Sequence, residues 1–374
     1  LRKKWNKNFG YIYKKRSHHG SFLIFTHMIA LLFFLIVAFS VSFVIIGISI
    51  SAPAYKGPAS DHFDGKKFLN PTGIQAKGLK EVFKWATNRK RGEWKPDLTE
   101  RYGPKPLERE TENIRVTFVN HSTFLIQVDG INILTDPVWS TRTSPFSWAG
   151  PKRMRLPGIK LEQLPTIHVV LLSHNHYDHL DILTMRTIFG AHHPKIVVPL
   201  GVKKFLEENW IGGSVEIDWW QEDSLVNNIR IQSVPAQHFS GRGMLDRDKT
   251  LWCGYVLKTK KGNIYFAGDT GYNESTFKEI GDKAGPFKLS LLPIGAYQPR
   301  WFMSPIHTSP DEAVKIHMDV KSELSIGSHF GTFPLADEGL DEPKKDLLTA
   351  LAANNIPSEK FITLDEGQPL IVEG

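Results

Sequence analysis

The sequence predicts a layered α/β domain, two mixed sheets packed together under an outer cover of helices, preceded by one membrane-spanning helix. Three observations lead there. Strand patterns and helix signals alternate in both halves of residues 111–374, the texture of mixed sheets that carry helices on their outer faces. An uncharged run of 29 residues, from Phe22 to Ile50, stands ahead of them. The chain has 374 residues, 41% hydrophobic and 23% charged, which allows a substantial core and excludes a wholly disordered or collagen-like protein.

The elements follow in order. Residues 1–21 carry seven Lys or Arg and no acid, so this tail accounts for the whole net charge of +7, and 39 basic and 39 acidic residues remain elsewhere. That balance gives no support for a nucleic-acid-binding face. Residues 22–50 are long enough to cross a bilayer as a helix. A cleaved signal peptide is the competing interpretation, since Ala52-Pro53-Ala54 has the small-x-small form, but its apolar region would be about 7 to 15 residues. The basic tail predicts a cytoplasmic N-terminus and a main domain on the extracytoplasmic side. His27 is taken as a neutral histidine near the helix end.

Residues 51–110, rich in Gly, Pro, Lys and Glu, read as a linker and an extension lying on the domain, with a short apolar pattern at Val82, Phe83 and Trp85. Then come the strands IRVTFV, STFLIQV and INILTD, the last two joined by Asp129-Gly130, a two-residue hairpin signal. The buried strand HVVLLSH (168–174), a helix from about Asp181, the strand KIVVPL and a helix near 201–209 follow. Strands return at 215–220, 229–234, 251–258, 263–268 and 289–295. Ser309-Pro310-Asp311-Glu312 opens a helix with an N-cap, a proline in its first turn and two acids. The strand LSIGSH, a helix over about 341–355 and a last strand FITLDE complete the chain.

The chemistry lies where these strands end. HVVLLSH runs straight into His174-Asn175-His176-Tyr177-Asp178-His179-Leu180-Asp181. Three histidines and two aspartates at the end of a buried strand answer no packing need, whereas neutral imidazole and carboxylate are ligands of Zn, Fe(II) or Mn. The lone cysteine, Cys253, excludes a Cys-rich zinc module. Three more strands end in a ligand type: His238 after IQSVPAQ, Asp269 in FAGDTG, and His329 after LSIGS. Singly each is more often a cap, but with His174, His176, Asp178 and His179 of the turn they make five histidines and two aspartates, enough for two metals.

This HxHxDH turn, with its distant His, Asp and His, resembles the metallo-β-lactamase superfamily, whose fold is an αββα sandwich. TDPVWS, GPKR, SHNHYDHLD, DWW, FAGDTGY, GAYQPRWFM and HFGTF narrow the resemblance to the branch of N-acylphosphatidylethanolamine-hydrolysing phospholipases D, over about residues 112–366. The resemblance implies two Zn²⁺ per chain, with Fe or Mn left open. His174, His176 and His238 would hold one, Asp178, His179 and His329 the other, and Asp269 would bridge them. It implies a catalytic part for Asp178, Asp269 and His307, substrate contacts at Tyr177 and His307, and support of the ligands by Asp136 and Asp181.

The activity so implied is hydrolysis of N-acylphosphatidylethanolamine to an N-acylethanolamine and phosphatidate by a membrane-tethered phosphodiesterase. Its partners would be a phospholipid substrate and a membrane. A hydrolase of a soluble phosphodiester or a lactone is the alternative, and a non-enzymatic scaffold is disfavoured because all seven ligand types are present. The HxKxxxxD motif of histidine-nucleophile phospholipases D is absent; the nearest fragment, His193-Pro194-Lys195, has Leu200 where Asp would stand. His121, His168, His192 and His317 fit no pattern and are assigned to packing or surface. The segments 144–148 and 239–242 depart from the branch, so regulation by amphiphiles such as bile acids does not carry over.

Overall fold

The computed structural model describes residues 2–224 and 229–374, and the side chains of residues 1–23, the basic tail among them, lie outside what it describes. Arg2–Ser49 forms one helix, α1. Its segment Ile24–Ser49, 26 residues with a mean hydropathy of 3.1, buries none of its most apolar window against protein. A helix of that length rises about 39 Å, more than the ~30 Å of a bilayer's hydrocarbon. A helix apolar on every face and unburied is long and apolar enough to cross a membrane.

Ala52–Arg242 and Asp246–Gly374 form the second compact unit. Its first sheet contains β1 (Ile114–Asn120), β2 (Thr123–Val128), β3 (Ile131–Thr135), β4 (Val169–Leu171), β5 (Lys195–Pro199), β6 (Ser214–Ile217) and, from the chain end, β14 (Pro369–Val372). The order is β14-β1-β2-β3-β4-β5-β6, antiparallel as far as β3 and parallel beyond. The second sheet holds β7 (Glu222–Ser224), β8 (Arg230–Val234), β9 (Gly254–Thr259), β10 (Gly262–Phe266), β11 (Leu289–Pro293), β12 (Ser325–Ser328) and β13 (Phe361–Ile362). It repeats the plan, antiparallel from β7 to β10 and parallel from β10 to β13.

Period-two alternation sorts the side chains between two layers. Ile126, Ile133, Val169 and Leu171 face a core shared with Leu257, Ile264 and Leu291 of the other sheet. Their neighbours Leu125, Leu134, Val170 and Leu172 point outward, onto α3 (Ile182–His192) and α4 (Val202–Glu208) through Met185, Ile188 and Leu206. Strands covered on both faces read as unbroken apolar runs, which is why VVLL has no polar member. The outer face of the second sheet carries α5 (Glu274–Ala284), α7 (Pro310–Asp319) and α8 (Glu342–Ala353), with a short α6 (Arg300–Met303) before α7. The result is an αββα sandwich.

Local chemistry sets the joints. Asp129 and Gly130 both take positive φ, 51° and 76°, the two-residue turn that suits the twist of β2 and β3. Ser309 and Glu312 form a complete capping box at the start of α7. Residues 52–110 pack onto the domain: Phe63 and Phe68 are buried against Leu251 and Trp252. Val82 and Trp85, from α2 (Leu79–Thr87), pack on Phe302 and Met303.

Besides the short β7 and α6, two elements that shape the topology were not anticipated. Helix α5 lies between the strands expected at 263–268 and 289–295; β10 and β11 are parallel, and a parallel pair needs a crossover of this length. FITLDE is not the last strand. Only its first two residues pair in the second sheet, and the chain then crosses to the first, where β14 runs antiparallel to β1 with Val372 opposite Ile114.

Candidate metal centre

Strand ends at one edge of the sandwich converge on a single cluster. β4 delivers the turn 174–181, β8 delivers His238, β10 delivers Asp269, β12 delivers His329 and β3 delivers Asp136. The turn is closed by the amides of His179 and Leu180, which both donate to the carbonyl of His176. Gly268, with φ +61°, lets FAGDT pass close to β4: a Cβ there would lie 2.7 Å from that of Ser173.

Two donor groups result. In the first, His174 Nε2 lies 2.8 Å from His176 Nδ1, and His238 Nε2 lies 3.2 Å from the same atom. In the second, Asp178 Oδ2 is 3.4 Å from His179 Nε2 and 3.3 Å from His329 Nε2. Asp269 stands between them, its Oδ2 3.1 Å from both His179 Nε2 and His329 Nε2 and 3.7 Å from His238 Nε2. Four nitrogens around one tetrahedral zinc would sit about 3.3 Å apart, given Zn–N bonds of about 2.0–2.1 Å. The observed spacings match that arrangement.

The orientation of the rings points the same way. His179 Nδ1 donates to Asp136 Oδ2 at 2.7 Å and His238 Nδ1 donates to the carbonyl of Ile306 at 2.9 Å, so each turns the lone pair of Nε2 inward. His179 Nε2 and Asp269 Oδ1 are buried and have no hydrogen-bond partner. A lone pair held 3.1 Å from a carboxylate is repulsive unless a cation or a proton lies between them.

Electrostatics divide the cluster. Burial, aided by neighbouring imidazoles, pushes His174 well below the ordinary histidine value and His176 down to about 3; burial lowers His238 to about 4. These three are neutral, the form that binds metal. Burial works against charge on His179 and His329 too, but Asp269 and the other carboxylates outweigh it, lifting His179 well above its usual value and His329 to about 9. Burial would raise Asp178 and Asp269, yet His179 and its neighbours hold both well below the carboxylate range. Among the described residues neither aspartate is paired with Lys or Arg, so positive charge must come from protons or from bound cations. The donor set fits two divalent ions.

The other expected residues fall as follows. Asp136 is fully buried and accepts from Ser173 N, Ser173 Oγ and His179 Nδ1. His307 presents Nδ1 3.9 Å from Asp269 Oδ2 with no hydrogen-bond partner; burial depresses its pKa well below the usual value. Tyr177 lies beside the turn, its hydroxyl donating to the carbonyl of Arg242.

Asp181 differs from expectation, since it touches no candidate ligand. It caps α3 at Leu183 N, takes a bond from Thr184 Oγ1, and ties down Trp139 N, Ser140 N and Ser140 Oγ. Asp181→Ala is therefore expected to cost about 2–3 kcal/mol, from a lost cap and orphaned buried donors, with metal content unchanged. Urea unfolding of the full chain in detergent beside elemental analysis would check this; lower metal content at unchanged stability would return Asp181 to ligand support.

His121 was assigned to packing or surface, and the structure places it at the cluster instead. Its Nε2 is 3.1 Å from Asp178 Oδ2, its ring lies 4.1 Å from that of His329, and its φ is 47°. The signal was a histidine at the corner between β1 and β2, legible only once that corner is known to meet Phe330. Arg242 also went unassigned. Its buried guanidinium donates to the carbonyls of Asn175 and Leu180 and stacks 3.8 Å over Tyr177, clamping both ends of the metal turn.

The cluster forms the floor of a cavity of about 390 Å³ whose wall includes Val82, Trp85, Phe239, Phe302, Ile306 and Leu335. Polar groups gathered under an apolar wall suit a ligand with a charged end and a hydrocarbon end.

Comparison with known proteins agrees. A profile of the β-lactamase superfamily domain matches residues 131–330. The chain is 41% identical over 264 residues to N-acyl-phosphatidylethanolamine-hydrolyzing phospholipase D 1 of Caenorhabditis elegans, covering 67% of this chain and 74% of that one. It is 37% identical over 237 residues to the mitochondrial N-acyl-phosphatidylethanolamine-hydrolyzing phospholipase D of Saccharomyces cerevisiae, covering 62% and 50%. Igni18, a metallo hydrolase of Ignicoccus hospitalis, shares the fold with a TM-score of 0.53 at 22% identity over 70% of this chain and 99% of its own. The chain is thus a metal-dependent hydrolase of the metallo-β-lactamase superfamily and belongs to its branch of N-acylphosphatidylethanolamine-hydrolysing phospholipases D.

Proposed function

We propose that the protein is a membrane-anchored dizinc phosphodiesterase that hydrolyses N-acylphosphatidylethanolamine to an N-acylethanolamine and phosphatidate. The observation that carries this is the two donor groups flanking Asp269, His174, His176 and His238 in one and Asp178, His179 and His329 with His121 beside them in the other, at the floor of an apolar-walled cavity. The names of the two relatives supply the substrate, and the apolar span Ile24–Ser49 supplies the anchor. A tether suits a substrate confined to a bilayer, because it raises the enzyme's effective concentration there. The seven basic residues ahead of that span support a cytoplasmic N-terminus with the catalytic domain on the other side.

His174, His176 and His238 would hold one ion and Asp178, His179 and His329 the other, with Asp269 shared. Bound there, a zinc pair provides a nucleophile from water near neutral pH and offsets charge on the phosphoryl oxygens. The chain's own groups position the reaction. Val82, Trp85 and Phe302 receive hydrocarbon, so the phosphodiester end points to the floor. His307, with an uncommitted nitrogen beside Asp269, offers the hydrogen bond that orients a phosphoryl oxygen or carries a proton to the departing alkoxide. Water adds to phosphorus as the bond to the head-group oxygen breaks, and that oxygen leaves protonated with the N-acylethanolamine.

Hydrolysis in ¹⁸O-labelled water tests the route. Label is expected in phosphatidate and not in the N-acylethanolamine, and short alcohols are expected to compete poorly because no phosphoenzyme forms. His307→Ala is expected to lower turnover by about 10²-fold with metal content intact. Label in the ethanolamide hydroxyl, or diacylglycerol as the main product, would overturn the mechanism.

A further inference from the structure

The extension ahead of β1 sends one side chain to the main chain of His238. Asn70-Pro71-Thr72-Gly73 forms a tight turn, closed by Gly73 N donating to the carbonyl of Asn70 at 2.9 Å, with proline second and glycine fourth, the places such a turn favours. Phe68, buried against Leu251 and Trp252, anchors the segment just before it. Asn70 is buried too, and all four hydrogen-bonding capacities of its carboxamide are filled. Nδ2 donates to the carbonyls of His238 at 2.9 Å and Ile74 at 2.8 Å, while Oδ1 accepts from His238 N at 2.9 Å and Trp252 Nε1 at 3.0 Å. An indole N–H only donates and a carbonyl only accepts, so the amide can face just one way.

His238 needs such a partner. It lies beyond Val234, the last residue of β8 paired with β9, and it is fully buried. A buried peptide N–H and C=O that have left the ladder must find partners elsewhere or cost free energy. A carboxamide offers a donor and an acceptor side by side, as a neighbouring peptide does, so Asn70 supplies what a strand would. Asp has the same size but lacks the donor, and Gln carries the amide one carbon too far. The residue before is tied in likewise, Thr72 Oγ1 donating to Gln237 Oε1 at 2.7 Å. With Nδ1 held by the carbonyl of Ile306, both the main chain and the ring of His238 are fixed.

We propose that Asn70 is a positioning residue for the donor group of His174, His176 and His238, so that the extension sets that group's affinity for metal. A ligand ordered before the cation arrives has less freedom to lose on binding and holds it more tightly. The group of Asp178, His179 and His329 takes its support from Asp136 and does not depend on Asn70. This rests on the reading that His238 is a metal ligand.

Chelator titration of the zinc-loaded full chain in detergent tests this, with His238→Ala as the marker. The step of zinc release that His238→Ala abolishes is expected at about 10–100-fold lower chelator concentration in Asn70→Ala, the loss typical of supporting hydrogen bonds, with the other step unmoved. Asn70→Asp, which keeps the size and the two acceptor bonds, should show the same selective shift, and excess zinc should restore turnover in both variants. Coupling is reciprocal, so stripping zinc from the wild type should also speed amide hydrogen exchange in the turn around Asn70, a measurement that needs no variant. Both steps unmoved, or both moved together, beneath a lowered urea midpoint would make Asn70 an anchor of the fold alone and overturn the proposal, as would exchange unchanged by zinc. Two release steps persisting in His238→Ala would remove His238 from the ligand set and the proposal with it, a failure that shows without any change at Asn70.

Discussion

Asp269→Asn is expected to lower turnover by at least about 10³-fold and to reduce bound metal from about two ions per chain to one or fewer, with the fold retained. The side chain keeps its shape, so packing offers no reason for unfolding. What changes is the charge between the two donor groups. Asp269 Oδ2 faces nitrogens from both groups, at 3.1 Å from His179 and His329 and 3.7 Å from His238, while Oδ1 is unbonded. Two dications held side by side there would repel strongly, and the shared negative charge of Asp269 would make the pair tolerable. An amide oxygen lacks the charge to do so. Elemental analysis, turnover on N-acylphosphatidylethanolamine vesicles and a urea midpoint would be measured on the same preparation. Two metals with undiminished turnover in the variant, or full turnover from metal-free wild type, would remove the shared-aspartate assignment.

The convergence of these histidines and aspartates on one cluster could be anticipated because the turn breaks the rule that governs its surroundings. Every residue from Val169 to Leu172 is apolar, and a turn holding three histidines directly after such a strand has no role in a core. His238, Asp269 and His329 carry no such contrast singly, since a strand-end His or Asp readily serves as a cap, and they stand out only in combination with the turn. His121 escaped because its significance is tertiary: it follows an ordinary antiparallel strand and meets Asp178 only after the corner closes on Phe330. Arg242 escaped likewise, its role being two backbone carbonyls that no pattern of side chains records.

Asp181 shows the converse, a residue whose place in the motif suggested metal support and whose bonds go to a helix cap and a neighbouring loop. For the fold, apolar runs and turn signals located most strands. They did not assign partners, so the return of β14 to the first sheet was invisible. Helix α5 did carry a sign, Asn273 as cap and Phe277, Ile280 and Ala284 on one face, which the crossover between parallel strands would have demanded.

Asp136→Asn is the second large effect, and it separates positioning from ligation. Asp136 accepts three hydrogen bonds: Ser173 N to Oδ1 at 2.7 Å, and Ser173 Oγ at 2.6 Å and His179 Nδ1 at 2.7 Å to Oδ2. The last fixes the tautomer of His179, with the proton on Nδ1 and the lone pair of Nε2 facing Asp178 and Asp269. In the Asn variant one carboxylate oxygen becomes an NH₂ donor. If its oxygen stays on the Ser173 amide, the NH₂ faces His179 Nδ1, which must then accept. The proton moves to Nε2, where a cation would otherwise be held. Affinity at the His179 group is expected to fall about 10–100-fold, as it does when such supporting hydrogen bonds are lost. The group formed by His174, His176 and His238 should hold its ion more nearly as before. Chelator titration would show one ion released early and one late, and added zinc would restore much of the turnover, a rescue that Asp269→Asn cannot show. Unchanged release of both ions from the Asn variant would mean that Asp136 neither orients His179 nor tunes the centre.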